Sequence, residues 1–347
     1  MLAIETIRYM GTKAKLISYI IPAIKDITPI NGIVCDIMAG SNIVSYALKK
    51  DFTVFTNDVQ QYSYTISKAF IENNEFTINK NDAKKDLEFY IEKNMQGNFY
   101  HLFLDTYSNT YFSKEQCKGI DSIRYAIDQL PDNGKKYLYL VALMCAMSKV
   151  ESSPGHFAQY MPATNKRIIP LQAMNIVSEF YQKCDNYNNI YNNRKKNKCF
   201  CDDYKNLLKE DKLKNVNTIY LDSPYSQEQY SRFYHILETL VKYDYPKVEY
   251  KAKYRTDRFM SDFCYKNKVE DEFKNIISYC SKNNINLLIS YSNKGILGVE
   301  KLMQLCKQFF EYVELKDIDY KHSTQGKGSR NIKELLIKCK CKTNTVI

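Results

Sequence analysis

Apolar and polar positions divide the chain into three stretches with different periodicity. The first eighty residues alternate between helix-like and strand-like runs. Lys13 to Ile24 has helical spacing and stops before Thr28-Pro29, since the residue before a proline is pushed out of helical geometry. Ile33-Val34-Cys35-Asp36-Ile37 is a short apolar run of the kind that forms a strand buried on both faces. Ala39-Gly40-Ser41-Asn42 then supplies a tight turn and a cap for a helix over Ile43 to Lys49. A second strand, Phe52 to Thr56, ends at Asn57-Asp58 and leads into a helix over Tyr62 to Asn73. This β-α-β-α unit predicts an α/β fold, a Rossmann-like doubly wound sheet.

From about 83 to 195 the strand pattern gives way to helical spacing, at Asp82 to Lys93, Lys114 to Gln129 and Lys135 to Lys149. Tyr187 to Lys198, a run of Asn, Tyr, Arg and Lys, reads as an exposed boundary. Strand-like runs resume at Lys198 to Cys201, Thr218 to Leu221, Asn286 to Tyr291 and Lys333 to Lys340, with helices over Glu270 to Lys282 and Val299 to Phe309. One α/β domain interrupted by a mainly helical insertion accounts for this order.

Composition adds a hint and little more. Of 347 residues, 50 are Lys or Arg and 39 Asp or Glu, a net +11 that suits a partner carrying phosphates. Thirty Tyr and seventeen Phe without Trp offer faces for unstacked bases, but AT-rich coding accounts for the same surplus equally well. The most apolar stretch, Tyr137 to Met147, falls well short of the roughly 20 residues a membrane span needs. Neither the N-terminal pattern nor the odd count of eleven scattered Cys points to secretion, so a reducing cytoplasm is the expectation. Cys199/Cys201 and Cys339/Cys341 lack a His at ligand spacing and read as packing thiols; no metal is expected.

The sharpest local signal is Tyr220-Leu221-Asp222-Ser223-Pro224-Tyr225, delivered at the carboxyl end of an apolar strand. Ligands of open α/β sheets bind at that end. The Asp222 carboxylate can accept one hydrogen bond from an exocyclic amine and the backbone carbonyl beside Pro224 the other, while Tyr225 stacks on the ring. Two acceptors on one NH2 draw the nitrogen lone pair out of conjugation and towards an electrophile. Alone, the four residues Asp222 to Tyr225 fit an ordinary turn equally well. Asp36 and Ala39-Gly40 end the first strand, and Asp58 follows 22 residues after Asp36, the spacing of an acid that reads a ribose. With one Gly instead of three, a pyrophosphate cofactor is poorly supported. A phosphate-free nucleoside cofactor needs only the turn and the acid, and S-adenosyl-L-methionine is the common one.

In combination, three segments resemble a known family. Arg8-Tyr9-Met10-Gly11-Thr12-Lys13, Asp36-Ile37-Met38-Ala39-Gly40-Ser41 and Asp222-Ser223-Pro224-Tyr225 are similar to motifs X, I and IV of the Dam-like DNA adenine methyltransferases. Their order is that of the class-alpha enzymes. Gln229-Tyr230-Ser231-Arg232-Phe233-Tyr234-His235-Ile236-Leu237-Glu238 and Ser290-Tyr291-Ser292-Asn293-Lys294-Gly295 look like the variant in enzymes of restriction-modification systems. The resemblance implies transfer of a methyl group from S-adenosyl-L-methionine to the N6 amine of a flipped adenine in double-stranded DNA, with a cognate restriction endonuclease as a companion. It implies cofactor contacts at Tyr9, Gly11, Lys13, Asp36, Ala39, Gly40, Asp58, Asp202 and Asp203. It implies a catalytic set of Asp222, Ser223, Pro224 and Tyr225, with Ser223 standing where the family most often has Pro. Residues 1–82 and 196–347 would form the catalytic domain and 83–195 an inserted target recognition domain.

Two alternatives stay open at this level: a degenerate DNA-binding protein of the same fold, suggested by Ser223, and a cytosine N4-methyltransferase, whose amine could use the same acceptors. Cytosine ring-carbon methylation uses a Cys that typically follows Pro, and none of the eight prolines here precedes Cys. RNA and protein methyltransferases with related motifs place motif IV closer to motif I than the 182 residues between Gly40 and Asp222. Candidate phosphate contacts are Lys166-Arg167, Asn193-Arg194-Lys195-Lys196, Lys321-His322 and Lys327-Gly328-Ser329-Arg330. Oligomeric state and recognition sequence are not legible.

Overall fold

A computed structural model describes residues 4–162, 164–318 and 332–342. The candidate contacts at 321–322 and 327–330 lie outside them. Among the described residues nine strands are formed: β1 Ile33–Asp36, β2 Thr53–Asn57, β3 Lys198–Phe200, β4 Thr218–Leu221, β5 Val248–Glu249, β6 Tyr254–Arg255, β7 Asn286–Ser292, β8 Tyr312–Ile318 and β9 Glu334–Lys340. Seven of them make one sheet in the order β3-β2-β1-β4-β7-β9-β8, and β5 and β6 pair as a separate hairpin. Every pairing from β3 through β7 is parallel, whereas β9 is antiparallel to both β7 and β8. The sheet is therefore doubly wound, with one reversed strand near its edge.

Strands β1, β4 and β7 are apolar and almost wholly buried because helices cover both faces. One face is covered by the helices Ile17–Ile27, Ile43–Leu48 and Gln61–Ser67, the last continued by a π turn, Lys68–Glu72. The other is covered by Tyr204–Lys209, Val269–Lys282 and Val299–Phe309. Buried Lys49 donates two 2.8 Å hydrogen bonds, to the carbonyls of Phe70 and Asn73, and so satisfies the end of the π turn. Burial without a counter-charge lowers its pKa to about 7.

The helical region between β2 and β3 includes Lys80–Gly97, Leu102–Tyr107, Lys114–Asp128, Gly134–Val150 and Ile176–Cys184. Its apolar residues merge with those beneath the first face of the sheet into one continuous core. The run Tyr137 to Met147 lies inside Gly134–Val150, where every residue from Leu138 to Ser148 is buried. Among the described residues, no helix is long and apolar enough to cross a membrane.

Candidate active site

The strand order reverses between β1 and β4, and a cavity opens beyond the carboxyl ends of these strands. All thirteen residues expected from sequence line it: Tyr9, Gly11, Lys13, Asp36, Ala39, Gly40, Asp58, Asp202, Asp203, Asp222, Ser223, Pro224 and Tyr225. They come from five chain segments, and the parallel sheet brings four of these together because β1 to β4 all point the same way.

Asp36 ends β1. Its Oδ2 accepts a 2.6 Å bond from Ser45 Oγ, while Oδ1 has no hydrogen-bond partner. Burial raises its pKa to about 7, against the stabilising hydroxyl. Gly40 stands at φ +50°, where an added Cβ would lie 2.8 Å from the Tyr9 hydroxyl. Its N–H donates to Asp58 Oδ2 at 2.9 Å, and Gln60 N donates to Asp58 Oδ1 at 2.9 Å. These bonds fix the Asp58 carboxylate at the end of β2. Burial still raises its pKa to about 6. Asp203 caps the helix Tyr204–Lys209 by accepting from Lys205 N, and Asp202 accepts from Asn206 Nδ2.

Asp222 follows β4, with Oδ1 2.9 Å from Lys13 Nζ. Burial raises its pKa, and the Lys13 ammonium opposes the rise. The same ammonium sits 5.5 Å from the Tyr225 ring centroid, so the catalytic tyrosine candidate presents a face to a cation. Ser223 is buried and its Oγ has no partner.

Four features of the site were not anticipated from sequence. Ser45 orients Asp36. Tyr9 stacks on Tyr234 at 4.8 Å and on Tyr230 at 5.7 Å, forming an aromatic wall beside the cavity. Gln229 ties the loop after β4 to Ser261 by bonds of 2.8 and 3.1 Å in opposite directions. Glu334, at the start of β9, approaches Lys13. Gln229 and Tyr230 belong to a segment whose resemblance was visible; Ser45 and Glu334 carried no signal.

Other candidates are placed differently. Asn193 donates to the carbonyls of Lys49 and Phe52, and Lys195 Nζ to that of Asp51 at 2.8 Å. These two side chains staple the boundary loop to the turn that leads into β2, whereas Arg194, Lys196, Lys166 and Arg167 are exposed. His235 is buried against the Phe157 carbonyl, and burial lowers its pKa to about 3, which keeps it neutral. All eleven Cys are free thiols, and among the described residues no three His, Cys, Asp or Glu cluster as metal ligands.

Asp36 gives a measurable consequence. A carboxyl whose pKa is raised by folding contributes stability that is present below pH 4 and lost as pH rises through 7. Between pH 5 and 7.5 the ligand-free wild type should lose about 2–3 kcal/mol more than Asp36→Asn in urea unfolding. Equal pH dependence of the two proteins would contradict the assignment.

The cavity suits a nucleoside cofactor with a cationic end. A glycine turn with no room for a Cβ, an unpaired buried Asp36 oxygen and a backbone-fixed Asp58 line one side of it. The strand order, with reversed β9 between β7 and β8, is that of the S-adenosylmethionine-dependent methyltransferase fold. Within that class, a family model for D12 class N6 adenine-specific DNA methyltransferases matches residues 9–305, and the chain belongs to this family. It is 27% identical to the modification methylase LlaI of Lactococcus lactis subsp. lactis over 95% of this chain and 54% of that protein. It is 28% identical to the type II methyltransferase M.FokI of Planomicrobium okeanokoites over 86% of this chain and 46% of that one. With M.NlaIII of Neisseria lactamica it shares 24% identity over 90% of this chain and 91% of the relative. The chain thus spans about half the length of LlaI and M.FokI.

Proposed function

We propose that the chain methylates the N6 amine of a specific adenine in double-stranded DNA, using S-adenosyl-L-methionine, as the modification partner of a restriction endonuclease in the cytoplasm. The observation that carries this reading is the placement of Asp222, Pro224 and Tyr225 in the same cavity as Asp36, Gly40 and Asp58, in a chain of this family. Residues 83–195 form the proposed target recognition domain, with the exposed Lys166, Arg167 and Arg194 in it and Lys196 just after it as candidate phosphate contacts.

Tyr9, Gly11, Lys13, Asp36, Ala39, Gly40, Asp58, Asp202 and Asp203 would hold the cofactor, which supplies a methyl group made electrophilic by a sulfonium. The target base must leave the helix, at a cost of a few kcal/mol, to reach the cavity. Tyr225 offers its ring for stacking, and Asp222 with the backbone carbonyl beside Pro224 accepts both amine hydrogens. That arrangement localises the lone pair on nitrogen and aims it, which is where much of the acceleration arises. Methylated nitrogen must then shed one proton. Asp222, whose pKa burial has raised, is a carboxylate able to take it. No covalent enzyme intermediate is required.

The test is transfer of labelled methyl from the cofactor to duplex DNA, followed by nucleoside analysis. Label confined to methylated adenine supports the proposal. Label on cytosine would establish the N4 alternative, and no label on varied DNA would establish a degenerate binding protein. Sequencing host DNA with modified-base detection would then identify the recognised site.

A further inference from the structure

Lys13, near the start of the chain, is a buried cation shared by two carboxylates from its second half, Asp222 and Glu334. Its side chain is 4% exposed, with Nζ 2.9 Å from Asp222 Oδ1 and 3.9 Å from Glu334 Oε1. Burial alone would discharge the amine, but the two carboxylates outweigh it and lift its pKa above the ordinary value. Lys13 therefore stays an ammonium.

Glu334 reaches this position through topology. Because β9 runs against its neighbours, its first residue lies at the edge of the sheet where β1, β4 and β7 end. In register Glu334 pairs with Ser292, the last residue of β7. Its side chain is 3% exposed, and a carboxylate so buried beside a second carboxylate is costly unless a cation stands near. Burial raises its pKa to about 7 while Lys13 pulls it down and Asp222 pushes it up.

The arrangement poses a problem of charge. Asp222 has a second oxygen for the target amine, yet the ammonium 2.9 Å from its Oδ1 withdraws charge from the carboxylate and stands beside a nitrogen that becomes positive as it is methylated. We propose that Glu334 is a positioning residue that takes the Lys13 ammonium from Asp222 when the adenine amine arrives, leaving Asp222 a full acceptor. The amine and Lys13 draw on the charge of one carboxylate, and Glu334 offers the ammonium a second one. When the methylated base leaves, Lys13 returns to Asp222, so the carboxylate is never left buried without a partner. This inference rests on the reading of the site as an adenine methyltransferase.

Glu334→Gln keeps the shape and removes the charge. Single-turnover methyl transfer should slow about tenfold, while the cofactor dissociation constant stays within about twofold of wild type. A second measurement needs no chemistry: binding of duplexes carrying adenine, or purine without the amine, at the recognised position. Wild type should favour adenine by about fivefold or more, and Glu334→Gln by about twofold or less. In a Lys13→Gln background, Glu334→Gln should change neither quantity further, because Glu334 acts through Lys13. A merely structural role would cost the same in both backgrounds.

A wild-type rate and wild-type discrimination in Glu334→Gln would overturn the inference, as would additive losses with Lys13→Gln. If the glutamine variant does not fold, Glu334→Ala, which removes the charge without an amide in its place, is run through the same cycle and has the same two outcomes. Failure of the wild type itself to label DNA would instead fall on the reading of the site. The Lys13–Glu334 pair can also be tested without DNA. A double-mutant cycle in urea unfolding of the ligand-free protein should show coupling, and strict additivity there would remove the shared cation from the argument.

Discussion

Asp222→Ala is expected to reduce methyl transfer to DNA by about 10²–10³-fold or more while leaving a folded protein that still binds the cofactor. The carboxylate is the one charged acceptor that β4 delivers to the cavity, and no neighbouring side chain can replace it. Glu334, 3.9 Å from Lys13 Nζ, is not among the residues lining the cavity. The loss has two parts. An amine hydrogen loses its acceptor, so the lone pair stays in conjugation with the ring. Lys13 also remains in the cavity with only Glu334 to balance it, and an ammonium next to a nitrogen that is becoming positive opposes the reaction. Asp222→Asn separates these parts, since its amide oxygen still accepts while the charge is gone. It should retain more activity than alanine and far less than wild type. Folding should survive in both, because Lys13 keeps a carboxylate partner and the Asp222 side chain is 23% exposed. The measurement is single-turnover transfer of labelled methyl at saturating cofactor, with the cofactor dissociation constant determined in parallel. Equal label from Asp222→Ala and wild type would remove Asp222 from the chemistry.

Much of this site was legible because three of its acids end apolar strands. Asp36, Asp58 and Asp222 each follow a run of buried residues, and a parallel sheet sends all such ends to one edge. Glu334 lies at that edge because β9 is reversed, so its acid begins a strand instead of ending one. Nothing in the local pattern around Glu334 distinguishes the two cases. Strand β8 was missed for a related reason: Tyr312, Glu314, Leu315, Lys316 and Asp317 hardly alternate, since an edge strand need not bury both faces. The helices Tyr230–Phe233 and His235–Lys242 were hidden by aromatics of modest helix propensity, and packing of their buried residues overrides that propensity. Helix Ile176–Cys184 likewise owes its place to contacts with the long helices before it. The surplus of tyrosine was ambiguous from composition. In the fold, Tyr9 and Tyr230 line the cavity and Tyr234 stacks on Tyr9, a role that depends on joining residues more than 200 positions apart. Boundary residues Asn193 and Lys195 looked like phosphate contacts because charge and amide patterns in a loop do not reveal which carbonyls lie within reach.

Gly40→Ala is expected to weaken cofactor binding by about 10–100-fold, the consequence of one methyl group placed where the backbone and a wall of rings leave no room. At φ +50° a side chain is already strained. The added Cβ would meet the Tyr9 hydroxyl at 2.8 Å and the carbon bearing it at 3.0 Å. Tyr9 cannot simply swing aside, because Tyr234 lies parallel to it at 4.8 Å with an interplanar angle of 8°, and Tyr230 lies 5.7 Å away. The turn must therefore shift. Gly40 N also holds Asp58 Oδ2 at 2.9 Å, so movement of the turn loosens the acid proposed to read the ribose. One substitution thus disturbs both Tyr9 and Asp58, while Asp222 and Pro224, in the loop after β4, are left in place. Binding of S-adenosylhomocysteine by calorimetry measures the effect without catalysis. Gly298→Ala is the control, since its Cβ would meet nothing within 4 Å. If the two variants bind alike, the glycine turn does not shape the cofactor site. If Gly40→Ala alone loses affinity but regains methyl transfer at high cofactor concentration, then the turn holds the cofactor and the β4 loop performs the transfer, two tasks divided between neighbouring strands of one sheet.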